Sequence, residues 1–206
     1  MSNKTIRATR GRRGGVLHDI ANRWALNMDR LSREWCGSDQ PCWYGERALL
    51  SVLAGAVWGL GGTAFEEYDS DKQGRRHGKP IRGREDLYFC YRRREYKAEA
   101  KHCNAYLMNT DKSRLKIRKF LDLAIQEVRS CSEDGQCRLG IVFAAPRVPK
   151  STLAMANGLI GVWIDEAFVT VKCSAAAAVF PGSIRSWCPD TEKFAYPGIA
   201  MFIQRL

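Results

Sequence analysis

The sequence predicts a mixed α/β domain, and three features of the chain indicate this fold class. Apolar residues recur every three or four positions over 16–35, which is the spacing of an amphipathic helix. Two runs of alternating character, 85–91 and 95–103, are separated by arginines and indicate a β-hairpin. A helical pattern at 112–130 then precedes an apolar run at 140–145 that is typical of a buried strand.

The segment 1–40 is predicted as a basic arm followed by a helix. Its first part, 1–15, carries five basic residues and no acidic one, so we expect either a solvated end or an arm that binds phosphates. The helix after it places its apolar residues on one face and stops at Gly37. These residues are Leu17, Ile20, Trp24, Met28, Leu31 and Trp35.

The segment 41–206 is predicted as a second unit, a single domain without an obvious linker. Its first helix covers about 44–59 and carries Glu46 in its first turns. The uncharged stretch 48–65 reaches the minimum length of a membrane span, but its glycines favour a buried helix instead. We expect a short strand at 63–68, a loop at 69–80, the hairpin, the helix at 112–130, and strands at 140–145, 161–171 and 199–203.

Composition limits the partners that the protein can have. The chain of 206 residues has 33 Lys and Arg against 22 Asp and Glu, a net charge of +11, which favours nucleic acid or another polyanion. Its eight cysteines follow no secretory signal and contain no C-x2-C pair, so we expect reduced thiols in the cytoplasm and no structural zinc. No P-loop, GxSxG or HExxH motif is present.

The hairpin carries the residues that indicate chemistry. Alternation places Glu99 and Lys101 on one face of the second strand, with Ala98 and Ala100 on the other. A turn centred between Arg92 and Arg93 sets Asp86 of the first strand opposite Glu99. Two facing carboxylates repel each other unless a cation lies between them, and Mg²⁺ or Mn²⁺ suits such oxygen ligands.

These residues resemble the motif of the PD-(D/E)XK phosphodiesterase superfamily, which has the restriction-endonuclease-like fold. The similarity rests on Glu46, on the segment Arg84-Glu85-Asp86-Leu87-Tyr88-Phe89, and on Lys97-Ala98-Glu99-Ala100-Lys101. Glu95-Tyr96-Lys97 is a second E-x-K match. We prefer Glu99 because a pairing of Asp86 with Glu95 would set the turn at Cys90-Tyr91, which are poor turn residues. Glu85 stands where the family name implies a proline.

The resemblance implies a mixed central sheet flanked by helices, with the segment 1–40 as a helical extension. It implies an endodeoxyribonuclease that hydrolyses phosphodiester bonds with Mg²⁺ or Mn²⁺ and that acts in some members as a homodimer. Asp86 and Glu99 would hold the metal, with the Ala100 carbonyl as a third ligand. Lys101 would orient the attacking water or neutralise the phosphate, and Glu46 would be an outer or second-metal ligand.

Basic residues surround these positions. Eleven basic and four acidic residues between Lys72 and Lys101 supply +7 of the net charge of +11. We expect a set of them to bind the phosphates of a nucleic acid, with DNA favoured over RNA as the partner, and expect no membrane partner. The set is Arg75, Arg76, Lys79, Arg82, Arg84, Arg92, Arg93 and Arg94. The alternatives are a basic nucleic-acid-binding module on the same fold without catalysis, or a solvated, salt-bridged strand face.

Overall fold

A computed structural model describes residues 4–73, 80–129, 136–183 and 193–206 of the chain. Helices and strands are interspersed along the described chain. In chain order they are β1 (Ile6–Gly11), α1 (Val16–Glu34), α2 (Glu46–Trp58), β2 (Thr63–Gln73), β3 (Pro80–Tyr91), β4 (Arg94–Tyr106), α3 (Thr110–Arg129), β5 (Cys137–Pro149), α4 (Leu153–Ala156), α5 (Ile160–Thr170), β6 (Ala175–Phe180), β7 (Phe194–Ala195) and β8 (Ile199–Arg205).

The described strands form one open, mixed sheet of eight strands. Seven of them lie in the order β1-β6-β8-β5-β4-β3-β2, and β7 pairs with the end of β5. β4 and β5 run parallel, because the chain returns through α3 between them. The other neighbouring strands of the described sheet are antiparallel. The result is an α/β fold in which the hairpin β3–β4 joins the centre of the sheet to one edge.

Helices cover both faces of this sheet, so the domain has two layers of core. Alternate residues of β4 and β5, such as Ala98 and Ile141, pack with α1 and α2 around Trp24 and Leu53. The residues between them, such as Val142, pack on the other face with α3 and α5. β4, which carries the E-x-K segment, therefore lies in a sheet that is covered by core residues on both faces.

Most of the predicted elements are confirmed. The helices predicted at 16–35, 44–59 and 112–130 are α1, α2 and α3, and the predicted hairpin is formed by β3 and β4. The buried strand predicted at 140–145 is the middle of the longer β5, and the last predicted strand is β8. The mixed α/β class is therefore confirmed.

Two predictions about single elements of the domain are wrong. The segment predicted as a strand at 161–171 lies almost wholly in helix α5 (Ile160–Thr170), because the buried positions of that helix repeat with helical spacing. These positions are Ile160, Trp163, Ile164, Ala167 and Phe168. The segment 69–80 is not all loop, since β2 runs on to Gln73 and β3 already begins at Pro80. Cross-strand pairing with β3 overrides the weak strand propensity of these polar residues.

The N-terminal segment also differs from the predicted arm. Ile6–Gly11 forms the edge strand β1, which pairs antiparallel with β6. The apolar side of α1 packs in the same core as α2 and β5. The segment 1–40 therefore belongs to the sheet and its core where the structure describes it.

No helix among the described residues is long and apolar enough to cross a membrane. No disulfide joins the cysteines described, which are free thiols, and two of them, Cys42 and Cys103, are buried. Burial raises the pKa of Cys42 and of Cys103 to about 12, so both thiols stay protonated at neutral pH. Neither side chain is available as a thiolate nucleophile or metal ligand.

Candidate active site

The hairpin turn determines which residues of β3 and β4 face each other. Arg92 and Arg93 form a two-residue turn with φ of 52° and 59°, the left-handed conformation that a type I′ turn needs. The register runs from Tyr91 opposite Arg94 to Leu87 opposite Ala98. This is the predicted register, and the prediction is confirmed over these pairs.

The regular pairing stops at Asp86. The β3–β4 ladder ends with Leu87, and the β2–β3 ladder passes from Leu87 to Glu85 without pairing Asp86. Opposite this gap, Glu67 of β2 has φ of 51°, a value that residues other than glycine adopt rarely. Asp86 therefore lies where the β2–β3 ladder is interrupted and the β3–β4 ladder ends.

The Asp86 carboxylate replaces the missing main-chain contact with β4. Its Oδ2 atom accepts a hydrogen bond from the backbone N–H of Ala100 at 2.8 Å. A bond from a fixed main-chain donor orients the carboxylate between the two strands. One predicted metal ligand is thus placed directly beside the E-x-K segment.

Lys101 follows Ala100 and is held by an ion pair. Its Nζ atom lies 2.6 Å from Oε2 of Glu127 on α3, and the side chain is about a quarter exposed. Burial by itself would lower the pKa of Lys101, but the hydrogen bond and charge of Glu127, with Glu46 and Asp86, raise the pKa above its ordinary value. The lysine is therefore a cation at neutral pH and is unsuited to act as a general base.

Glu46 is the first residue of α2 and belongs to the same electrostatic environment. Burial is the largest cause of its raised pKa; Lys101 and a hydrogen bond with the backbone of His102 oppose this, and the negative charges of Asp86 and Glu127 add to it. Because the net shift of the pKa is upward, the folded structure disfavours the ionised form of Glu46 relative to a carboxylate in water. A bound cation would oppose this effect.

We expect Glu46→Gln to raise the melting temperature of the metal-free protein at neutral pH. A raised carboxyl pKa means that the folded state binds a proton more tightly than the unfolded state. The stabilising effect of the amide should be absent below the ordinary pKa of 4.5, should grow as pH rises through the folded pKa, and should be constant above it. Thermal melts in EDTA from pH 4 to pH 8 measure this effect.

Glu67→Gln is the matched control, because Glu67 lines the same cleft but binds Arg47 at 3.1 Å and Arg84 at 2.8 Å. We expect this control to lower the melting temperature at neutral pH. A Glu46 variant that melts at or below the wild-type temperature at pH 8 would contradict the described electrostatics.

Glu99 and the neighbouring ion pair are buried. Glu99 is 2% exposed and lies opposite Gly140 of β5. Lys97 and Glu85 form an ion pair of 3.1 Å with side-chain exposures of 2% and 1%. The two charged residues of the second E-x-K match therefore have separate surroundings. Lys97 is the buried partner of Glu85, whereas Glu95 is exposed and accepts a hydrogen bond from Gln136 at 3.0 Å.

A cleft of about 180 Å³ opens beside Asp86. Its walls come from three elements and carry four carboxylates and two arginines. The lining residues are Glu46, Arg47 and Leu50 of α2, Glu66 and Glu67 of β2, and Arg84 and Asp86 of β3. The cleft therefore offers both anionic groups for a cation and cationic groups for a phosphate.

The predicted phosphate-binding residues are not all free for that task. Arg84 contacts Glu67 at 2.8 Å, and Arg92 donates to the Gly14 carbonyl and to Asp19, each at 2.9 Å. Arg93 and Arg94 are exposed at the hairpin turn. Arg82 lies on β3 opposite Asp71, and Arg75, Arg76 and Lys79 lie outside the described residues.

The donor set fits Mg²⁺ or Mn²⁺ in its chemistry. Asp86 and Glu46 both line the cleft and are oxygen donors, and the negative charge of Asp86 is one of the causes of the raised pKa of Glu46. Mg²⁺ is usually bound by one or two carboxylates and several waters. Within the part of the chain that the structure describes, no three His, Cys, Asp or Glu side chains are arranged to hold a metal ion. Among the described residues, Glu46, Asp86 and Glu99 are thus not assembled into one three-residue cluster, and the Glu99 side chain is buried.

Sequence reasoning missed Glu127 and Glu67. Glu127 reads as a surface residue of α3, but it lies three positions after the buried Ala124 and one before the buried Val128, at the margin of the helix face that meets the sheet. That position is the available signal for its contact with Lys101.

Comparison of the chain with protein-family models, with curated proteins and with solved structures finds no match.

Proposed function

We propose that the chain is a divalent-metal-dependent nuclease of the PD-(D/E)XK type that hydrolyses phosphodiester bonds in DNA. The observation that carries this proposal is the bond from the Ala100 N–H to the Asp86 carboxylate, with Lys101 as the next residue of β4. It brings an acid of one strand and the E-x-K segment of the next strand together at the point where their ladder ends. A solvated, salt-bridged strand face would not need one ladder to skip Asp86 and the other to end beside it.

The arrangement of the elements supports the same fold family. A hairpin with the acid on its first strand and E-x-K on its second is followed by α3 and by β5, which is parallel to β4. Helix α2 precedes the hairpin and carries Glu46. This order, from α2 to β5, is the one that the resemblance implies for a restriction-endonuclease-like core.

Asp86, with the Ala100 carbonyl and with Glu99 as the resemblance implies, would hold the metal, and Glu46, which lines the cleft with Asp86, would lie outside them. The bound ion would supply Lewis acidity and lower the pKa of water. The chain's own residues would do the rest. Asp86 is fixed by Ala100, and Lys101 remains cationic because Glu127 supports it, so its ammonium can neutralise charge on the phosphate in the transition state. Glu46, with its raised pKa, can accept a proton in the cleft.

The decisive experiment is incubation of supercoiled plasmid with the purified wild-type protein in Mg²⁺, in Mn²⁺ and in EDTA. We expect nicked or linear plasmid with either metal and intact plasmid in EDTA, because hydrolysis depends on the bound cation. An Asp86→Asn sample purified in parallel shows whether a contaminating nuclease is responsible.

A gel shift on the same plasmid separates the second class of function. Retarded but uncleaved DNA in all three conditions would overturn the nuclease proposal in favour of a binding module on the same fold. Such a module would keep its affinity in the Asp86 variant, since electrostatic binding does not need that carboxylate.

A further inference from the structure

A second cluster of charge lies away from the Asp86 cleft, at the tip of the β3–β4 hairpin. A pocket of about 400 Å³ is formed where this tip meets the start of α1. Four arginines line it, together with the backbone of Gly14 and Gly15 and with Val16. The arginines are Arg12, Arg13, Arg92 and Arg94.

The charges of this pocket are only partly compensated. Arg92 uses its guanidinium to bind the Gly14 carbonyl and Asp19, the acidic residue in the first turn of α1. Arg12 and Arg13 are exposed and form no ion pair with a described residue. Guanidinium groups that share a pocket without carboxylates repel one another, so an anion that enters would relieve the repulsion.

The backbone of the hairpin turn is strained, because two arginines occupy its left-handed positions. Both central residues of a type I′ turn need positive φ, and asparagine and glycine serve there with little strain. Arg92 and Arg93 occupy these positions with φ of 52° and 59°. Arginines held in the left-handed region cost stability, and such strain concentrates at sites of function. This is independent of the pocket's charge and favours a role for the arginines themselves.

We propose that this pocket binds the phosphate groups of a nucleic-acid strand. Arginine presents several donors in a planar fork that matches a phosphate, and four such residues exceed what one small anion needs. Arg92 follows the last residue of β3 and is six positions from Asp86, about 20 Å at roughly 3.3 Å per residue. Binding at the pocket therefore does not require the residues of the Asp86 cleft and can be tested without cleavage.

The test compares two double variants that remove the same charge. The double variant Arg12→Ala/Arg13→Ala removes the two pocket arginines that form no ion pair with a described residue. Arg30→Ala/Arg33→Ala removes two exposed arginines that pair with Glu34 and Asp29 near the other end of α1, about 20 Å away at roughly 1.5 Å per residue. Fluorescence anisotropy with a labelled 20-base-pair DNA duplex, in EDTA, gives the affinity of each protein between 50 and 200 mM salt.

We expect the pocket variant to bind the duplex at least about tenfold more weakly at 50 mM salt, with a slope of log K against log salt that is smaller by about two. The control should stay within about threefold of wild type. If the double variant does not show the wild-type circular dichroism spectrum, the single variant Arg13→Ala replaces it. We then expect the slope of log K against log salt to be smaller by about one. Addition of pyrophosphate should displace the duplex from wild type.

Equal losses in the two double variants would overturn the proposal, because they would report net charge alone. An unchanged duplex affinity, with a loss of binding to phosphatidylserine vesicles, would also overturn it in favour of a membrane surface. Neither result would depend on whether the Asp86 cleft cleaves DNA, so this proposal and the nuclease proposal fail separately.

Discussion

Asp86→Asn is expected to lower the rate of metal-dependent plasmid cleavage by about a thousandfold and to leave the fold intact. The amide keeps an oxygen that can accept the Ala100 N–H, so the contact between β3 and β4 is retained. It loses the charge that binds the cation. A thousandfold loss corresponds to about 4 kcal/mol of transition-state stabilisation, which is the size expected for the removal of one essential electrostatic group.

The matched control for Asp86 is Glu95→Gln, which makes the same chemical change on the same hairpin. Glu95 is exposed and belongs to the second E-x-K match, so its amide variant should cleave at the wild-type rate. Glu99→Gln and Lys101→Met should lose activity with Asp86→Asn. Single-turnover cleavage rates in Mg²⁺, with melting temperatures in EDTA, decide the matter. Wild-type cleavage by Asp86→Asn, or an equal loss in Glu95→Gln, would refute the site assignment.

Lys97→Met is expected to cost about 3–5 kcal/mol of unfolding free energy. The Lys97–Glu85 pair is 1–2% exposed, so the variant leaves the Glu85 carboxylate buried without its cation. The carboxylate already has one oxygen, Oε2, without a hydrogen-bond partner among the described residues. Because domains of this size are stable by only about 5–15 kcal/mol, the loss is a large fraction of the total. Urea unfolding at pH 7 measures it.

The double variant Glu85→Met/Lys97→Met is the informative partner of this experiment. It removes both charges and keeps apolar volume, so its stability should return to within about 1 kcal/mol of wild type. A double variant as unstable as the single one would show that Lys97 acts through other contacts. If the double variant is stable but cleaves slowly, the pair also positions Asp86, the residue after Glu85.

The hairpin shows what could be predicted from the sequence. Its register follows from one turn and from alternation, both of which are local, and so Leu87 was expected opposite Ala98. The same reasoning expected Asp86 opposite Glu99. The interruption of the β2–β3 ladder at Asp86 could not be foreseen, because it coincides with the left-handed backbone at Glu67, in a strand that the sequence predicts to be short.

Other features depend on tertiary packing that no local pattern reports. Residues Ala175–Phe180 begin with four alanines, which favour helices, but they form the fully buried strand β6 between β1 and β8. Helix α5 is apolar on more than its buried side, with Val162 and Val169 exposed, so its helical period is hidden in the sequence. The Lys101–Glu127 pair joins a strand to a helix that follows it, and only the packing of α3 on β4 brings the two together.

The pairing of β1 with β6 has a consequence for how the protein is made. Gly11 pairs with Ala175 and Ile6 with Phe180, so the two strands come from distant parts of the chain. A ribosome that adds about 5–20 residues per second needs roughly 10–30 s to deliver the partner strand. During that interval β1 leaves the ribosome with its main-chain donors and acceptors open, and its two arginines and its glycine hinder association with other nascent chains. The sheet is therefore completed late, by the first strand joining one of the last, which predicts slow folding for a domain of this size.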